Sequence, residues 1–288
     1  MKRYDLTLPE NAPHGRLINH LSRALPQVPF YALREAFQKR DVKVNGKRVG
    51  MDAMVQPGGE IILFVQETSA MEIPVVYQDD NLMIVIKPAG ISCDADAGGG
   101  QTLPALVHEQ LLRTDPSAQE PLLCHRLDNP TEGLLILAKT PQTQSWLEDA
   151  FRQRQIHKEY ICLVRNTPSP AHRLMNDWLI KDAKHARVRI VNHELPGAKL
   201  ISTEYTVLEK GERCRLRILL HTGRTHQIRA HMAYIGHPLL GDDLYGDRAF
   251  NRAYKAKRLM LCACTLRFAL TGPLAYLNDQ TFTIRPNF

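Results

Sequence analysis

From residue 75 onward the chain is a succession of short apolar runs with the make-up of β-strands: VVY, LMIVI, LLC, LLILA, YICLV, VRIV, TEYTVL, LRILL and LMLCA. Helical spacing of apolar residues intervenes only at 102–113, 144–155 and 225–235. Many strands with few helices do not make a regular strand–helix alternation. The expectation is therefore a large mixed, mainly antiparallel α+β domain over 75–288. A chain of 288 residues leaves room for a second, smaller unit in front of it. The longest wholly apolar stretch is LMLCAC, 259–264, well short of the roughly 20 residues a membrane-spanning helix needs. The N-terminal MKRYDLTLPENAPHG has basic residues with no apolar region behind them, so it does not read as a secretory signal.

Residues 16–66 read as that smaller unit. Leu17, Leu21 and Leu25 lie four apart on a first helix that Pro26 closes, and a second helix runs from Phe30 to about Arg40. Asn45-Gly46 inside VKVNGKRV is a hairpin signal, because a type I′ turn needs positive φ at both central residues. Pro57-Gly58-Gly59 then turns the chain into a strand at Ile61–Val65. Between Arg34 and Arg48 six basic residues face two acidic ones, an excess of +4. Charge alone fits a solvated helix face as readily as a polyanion-binding one. Residues 67–74, ETSAMEIP, read as a linker, and Gly98–Gly100 as a loop without the Lys-Ser/Thr of a phosphate-binding loop.

Composition narrows the function classes. Apolar residues make up 44% and charged residues 23%, which excludes a disordered or fibrous chain. Lys and Arg outnumber Asp and Glu by 37 to 30, a net +7 that leans towards a polyanionic partner. Six scattered cysteines with no CxxC read as reduced thiols of a cytoplasmic protein. His221, His226 and His231 recur every five residues, which does not keep three imidazoles on one helical face, so no metal site is expected.

The densest polar cluster is HRLDNPTEGLLILAKT, 125–140. The run Pro121–Cys124 leads in and the strand Leu134–Ala138 leads out, so His125, Arg126 and Asp128 lie on a connection between two buried strands. A carboxylate held there needs a cation or donors to satisfy it. The alternative is a surface loop with a local Arg–Asp pair.

Two resemblances turn these readings into expectations. RLINHL…LREAFQKRDVKVNGKRV…VQPGGEIIL, within 1–66, resembles the S4-type (alpha-L) RNA-binding domain, although the usual Ser-Arg opening of the second helix is absent. That resemblance implies RNA contacts from Arg34, Lys39, Arg40, Lys43, Lys47 and Arg48. HRLDxxTxGLLxLAK is the signature of the RluA-type pseudouridine synthases, with Glu132 where that family usually has Ser. YQDDNLMIVIKPAGISC (77–93), KEYICLV (158–164), GRTHQIRAHMAYIGHPLLGDDLYG (223–246) and RLMLCA (258–263) resemble its other motifs in the same order, with Cys262 where His is common.

The second resemblance implies a base-flipping isomerase that needs no cofactor. It breaks the C1′–N1 bond of a uridine, turns the uracil and rejoins C1′ to C5. Asp128 is implied as the catalytic residue, either attacking the sugar or removing a proton. Arg224 is implied as the cation paired with it, the alternative being a helix N-terminal Arg in solvent. Tyr160 is implied as the aromatic face and phenol beside the uracil, the alternative being an inward strand tyrosine. Arg126 is implied as the residue filling the gap left by the flipped base, or else a structural ion pair. Leu261 is implied as packing on the base, and Arg229 as touching phosphate or local backbone. His125 and His226 read as structural hydrogen-bonding residues. The partner is RNA, ribosomal RNA favoured over transfer RNA, with no membrane, and the protein is expected to be a cytoplasmic monomer. A catalytically silent RNA-binding factor and a nucleoside-directed glycosidase are the competing classes. The former would be expected to lack one of Asp128, Tyr160 and Arg224; the latter would want a second carboxylate, and Asp242 and Asp243 resemble a structural turn. The stretch 166–200, with Lys181, Lys184, Arg187 and Arg189, reads as an insertion for substrate choice or as a solvated hairpin.

Overall fold

The computed structural model describes all residues except 26, 27, 29, 66–70, 95–100 and 183–186, together with the side chains of residues 30 and 31. Pro26, the Gly98–Gly100 triplet, Lys184 and residues 67–70 of the expected linker therefore lie outside the described residues. Packing divides the chain into two units: Met1–Glu72 with Ser92–Ala118, and Ile73–Ile91 with Gln119–Phe288.

In the first unit, β1 (Lys2–Thr7), β2 (Val42–Val44), β3 (Lys47–Val49) and β4 (Glu60–Val65) form an antiparallel sheet in the order β1-β4-β2-β3. Helices α1 (Leu17–Ala24) and α2 (Phe30–Gln38) bury Leu17, Leu21, Leu33 and Phe37 in a core with Val42, Ile61 and Leu63. Asn45 and Gly46 adopt φ of 49° and 77°, as the hairpin requires, and Asn45 Oδ1 accepts the Glu60 N–H at 2.8 Å. Helix α3 (Leu103–Leu111), capped by Thr102, belongs to this unit too. Strand β1 is not foreseen from the sequence. Its side chains are mostly exposed and its alternating Tyr4 and Leu6 only partly buried, so pairing with β4 defines it.

The second unit is built on an eleven-stranded sheet. Its strands are β5 (Val75–Gln78), β6 (Leu82–Lys87), β7 (Leu122–Leu123), β8 (Glu132–Ala138), β9 (Ile156–Arg165), β10 (His172–Asp182), β11 (Arg187–Val191), β12 (Lys199–Glu209), β13 (Arg213–Leu220), β14 (Leu261–Phe268) and β15 (Thr281–Thr283). The main path runs β11-β10-β12-β13-β9-β14-β8-β6-β5, with β15 on β14 and β7 on β8. Every pairing is antiparallel except that of β14 with β8. The fold is thus α+β with a mainly antiparallel sheet, as the run of strand-like segments implies. Helices α4 (Pro141–Arg152), α5 (Gln227–Tyr234) and α6 (Arg248–Ala253) complete this unit. Leu82, Ile84, Leu134, Ile136, Leu147 and Leu266 form one core cluster. Ile73, read as the end of a polar linker, is fully buried, and the Pro74 carbonyl accepts the Ile86 N–H.

Residues 166–200 are mainly sheet. Strands β10 and β11 form a hairpin that extends β12, with Met175, Leu179, Val188 and Ile190 buried. The sequence HRLMNDWLIKD hides β10 because Arg173, Asp177 and Lys181 alternate with buried Met175 and Leu179 on one face, while Leu174, Trp178 and Ile180 lie on the other. Gly133 sits where β8 meets β14 in parallel, at φ 127°; a Cβ there would lie 2.3 Å from the Ala263 carbonyl oxygen. Glycine is required for that approach, which brings the connection carrying Asp128 beside the strand carrying Leu261.

Candidate active site

A cleft of about 660 Å³ opens in the second unit, lined by the β7–β8 connection, the end of α4, β9, the turn before α5 and the start of β14. Asp128 is the acidic residue among those lining it; Arg126, Arg152, Arg154, Lys158, Arg224 and Arg229 are the cations.

The Asp128 connection is held from several sides. The Thr131 N–H donates to the Asp128 carbonyl at 3.0 Å, and Thr131 is buried. On one side the Asn129 carbonyl accepts the Gly90 N–H at 2.8 Å and the Lys87 ammonium at 3.0 Å. Lys87 is fully buried at the end of β6, and its Nζ also donates to the Pro88 and Ile91 carbonyls at 2.9 and 2.8 Å. Three carbonyls are what a buried ammonium needs in place of water. The sequence reading gives Lys87 no role. The one available signal is a lysine continuing a strand that is otherwise wholly apolar. On the other side, Ile136 N–H donates to His125 Nε2 at 2.9 Å, and the imidazole packs on Phe151 with ring centres 4.4 Å apart. Burial, reinforced by the Lys158 charge, holds His125 well below the ordinary histidine pKa, so it is a neutral packing group.

The cation beside Asp128 is Arg229, and this corrects the expectation for Arg224. Arg229 Nη1 lies 3.6 Å from Asp128 Oδ2. Arg224 is exposed, in the turn before α5, where its N–H donates to Gln227 Oε1 at 3.1 Å; among the described residues it makes no ion pair with Asp128. Position 229 lies inside α5, on a stretch buried from 227 to 232. The expectation that Arg229 touches phosphate is corrected for the same reason: its side chain is 3% exposed and already occupied. Nε and Nη2 donate to Asp242 Oδ2 and Oδ1 at 2.7 and 2.9 Å, and Tyr245 lies across the guanidinium, its ring centre 5.4 Å away. Asp242, whose side chain has no exposed surface, also takes the Leu244 and Tyr245 N–H groups on Oδ1, both at 2.9 Å. Burial works to raise Asp242, but the Arg229 hydrogen bonds and charge and these backbone donors hold it below the ordinary carboxylate range. The GD turn is therefore structural in a specific sense: it fixes the arginine that faces Asp128.

Tyr160 lies on β9 opposite Ile218 and Ala263, 4% exposed. Burial, and then the negative charge of Asp128, push its phenol well above its ordinary pKa, so it keeps its proton at neutral pH. Leu261, 3% exposed, lines the same cleft from β14. Arg126 is exposed at the cleft. His226, at φ 54° before α5, hydrogen-bonds through Nδ1 to the Tyr245 hydroxyl at 3.0 Å, which itself accepts the Val188 N–H at 2.8 Å. Burial is the main influence lowering His226, which stays a neutral ring. Glu132 pairs with Arg258, so this departure from the family pattern is answered within the RLMLCA segment. Cys162, Cys214, Cys262 and Cys264 are buried free thiols, and no metal-holding cluster of His, Cys, Asp or Glu occurs among the described residues. No helix among those residues is long and apolar enough to cross a membrane.

The family described as RNA pseudouridylate synthase matches residues 81–234. Ribosomal large subunit pseudouridine synthase C of Vibrio cholerae is 31% identical over 91% of this chain and 88% of its own length. Ribosomal large subunit pseudouridine synthase D of Yersinia pestis is 34% identical over 84% of this chain and 76% of its own. The solved structure of human RNA pseudouridylate synthase domain containing 4 shares the fold, with a TM-score of 0.61 at 22% identity, covering 74% of this chain and 88% of that one. Fold, sequence and cleft define an isomerase that acts on RNA. The chain belongs to the RluA-type RNA pseudouridine synthase family.

Proposed function

We propose that the protein converts uridines of large-subunit ribosomal RNA to pseudouridine, with Asp128 as the reacting carboxylate. The observation that carries this is the pairing of Asp128 with a buried arginine which a second carboxylate already holds in place. The relatives named above act, by their names, on the ribosomal large subunit, and the likeness runs over most of the chain.

The chemistry follows from the residues. A flipped uridine lies with its ribose C1′ at Asp128, its ring against Leu261 and Tyr160, and Arg126 in the gap left in the RNA. The C1′–N1 bond breaks with its electron pair leaving on the uracil. The uracil turns, C5 bonds to C1′, C5 gives up its proton, and N1 gains one. Asp128, facing the Arg229 guanidinium, supports positive charge at C1′ by attack or takes the proton that starts the exchange. The Tyr160 phenol offers a proton donor over the ring. Proton transfer and charge pairing are thus covered by side chains. Turnover is expected to survive EDTA; loss restored by zinc but not by magnesium would contradict this.

The first unit is read as the RNA-holding arm. Arg34, Lys39, Arg40, Lys47 and Arg48 are exposed and Lys43 is partly so; Lys39 also pairs with Glu35 at 2.6 Å. Residues 92–118 group with the first 72, so side-chain changes test this better than truncation. Replacing Lys43, Lys47 and Arg48 by Gln is expected to lower the slope of log affinity against log salt by about 2–2.7, at about 0.7–0.9 per lost phosphate contact. An unchanged slope would return these residues to a plain solvated face.

The deciding experiment maps pseudouridine in RNA from cells with and without the gene. Loss of sites in large-subunit rRNA is expected. Loss confined to transfer RNA would move the substrate, and no loss would leave a binding factor without catalysis.

A further inference from the structure

Lys158 belongs to the cleft but has no part in the chemistry set out above. It sits two residues before Tyr160 on β9, so both side chains leave the same face of the strand, about 7 Å apart along it. Its ammonium is 5.3 Å from the centre of the Phe151 ring and about 4.0 Å from where a Cβ on Gly223 would stand. It is therefore wedged between the end of α4 and the turn that leads into α5. Lys158 is partly exposed, and burial pulls its amine down to about 8.

Among the described residues the face of the Phe151 ring is what compensates that charge. No carboxylate or carbonyl pairs with Lys158, and the acid lining the cleft, Asp128, faces Arg229. Lys87, the fully buried lysine of this unit, has three carbonyls. A half-buried ammonium with only a ring face as partner is open to an anion that a ligand brings. Two further cations, Arg152 and Arg154, line the cleft with it, an arrangement that suits a polyanion.

We propose that Lys158 anchors an RNA backbone phosphate, taking a non-bridging oxygen of the phosphodiester next to the uridine that enters the cleft. This rests on the reading of the cleft as the uridine pocket. The anchored phosphate fixes how far the flipped nucleotide slides along β9, and so whether its sugar stands at Asp128.

The test compares wild type, Lys158→Met and Lys158→Arg, using binding of a fluorescein-labelled oligouridylate over a range of KCl concentrations. Met keeps the packing on Phe151 without the charge, and circular dichroism checks that it folds. Lys158→Met is expected to weaken binding about tenfold or more and to lower the salt slope by about 0.7, the value for one contact to a single strand. In turnover, the effect is expected in KM more than in kcat. Lys158→Arg is expected to keep the wild-type slope. An unchanged slope in Lys158→Met overturns the proposal, and an unchanged slope with a fallen kcat assigns Lys158 to the base instead. If Arg loses the slope as Met does, packing and not charge is at stake, and the proposal falls. Binding is read without turnover. A protein that binds oligouridylate but modifies no RNA would thus fail the functional reading while leaving this test decided.

Discussion

Asp128→Asn is expected to leave the protein folded and RNA-binding while reducing release of tritium from C5-labelled uridine in RNA at least about 100-fold, or about 2.7 kcal/mol of barrier. The side chains are the same size, so the substitution opens no cavity, and the Asp128 side chain is 19% exposed. Arg229 keeps its two hydrogen bonds to Asp242, and the Thr131 N–H still has the carbonyl of residue 128. Stability should change by no more than about 1 kcal/mol, about 2–4 °C in melting temperature for a domain of this size. What disappears is the negative charge at the reacting carbon, an interaction needed in the transition state more than in binding. Turnover above a few per cent of wild type would remove Asp128 from the reaction.

Arg229→Met should be costly in a different way. It leaves the Asp242 carboxylate buried with only backbone donors, and breaking such a pair costs about 3–5 kcal/mol. It also leaves Asp128 without its cation, so turnover falls as well. The two effects separate in the double variant Arg229→Met/Asp242→Asn. An amide at 242 retains the Oδ1 that accepts both the Leu244 and Tyr245 N–H groups, but no longer carries a charge in need of a partner. Chemical denaturation should show most of the lost stability regained, while the tritium assay stays near the level of Arg229→Met. Recovery of turnover in the double variant would show that Arg229 acts only through folding, and a single variant as stable as wild type would refute the buried pair.

The contrast between Arg224 and Arg229 marks where the sequence stops being legible. Local signals are sound where local physics decides. Asn45-Gly46 has one comfortable conformation, and α5 falls within the segment whose apolar spacing marks a helix. The HRLD connection lies between strands because the runs on either side are too apolar to be elsewhere. Which of two arginines five residues apart faces a carboxylate a hundred residues earlier is decided by the turn that Gln227 ties down and by Asp242, neither of which is near Asp128 in sequence. Lys87 escapes for a related reason: its partners are carbonyls, which every residue has, so no residue type announces them. Strand β1 escapes because its burial is slight and β10 because Arg173, Asp177 and Lys181 interrupt its buried face, and a period-two pattern needs a dry face to be visible.

The backbone character of the Lys87 bonds has a consequence for how this site tolerates change. Its ammonium reads the path of the chain at residues 88, 91 and 129 and is blind to their side chains. One lysine thus ties the Asp128 connection to the chain that follows β6, through bonds that depend on the course of the backbone and not on residue type. Substitution at Lys87 releases both segments at once, so a residue outside the cleft's lining governs where Asp128 stands.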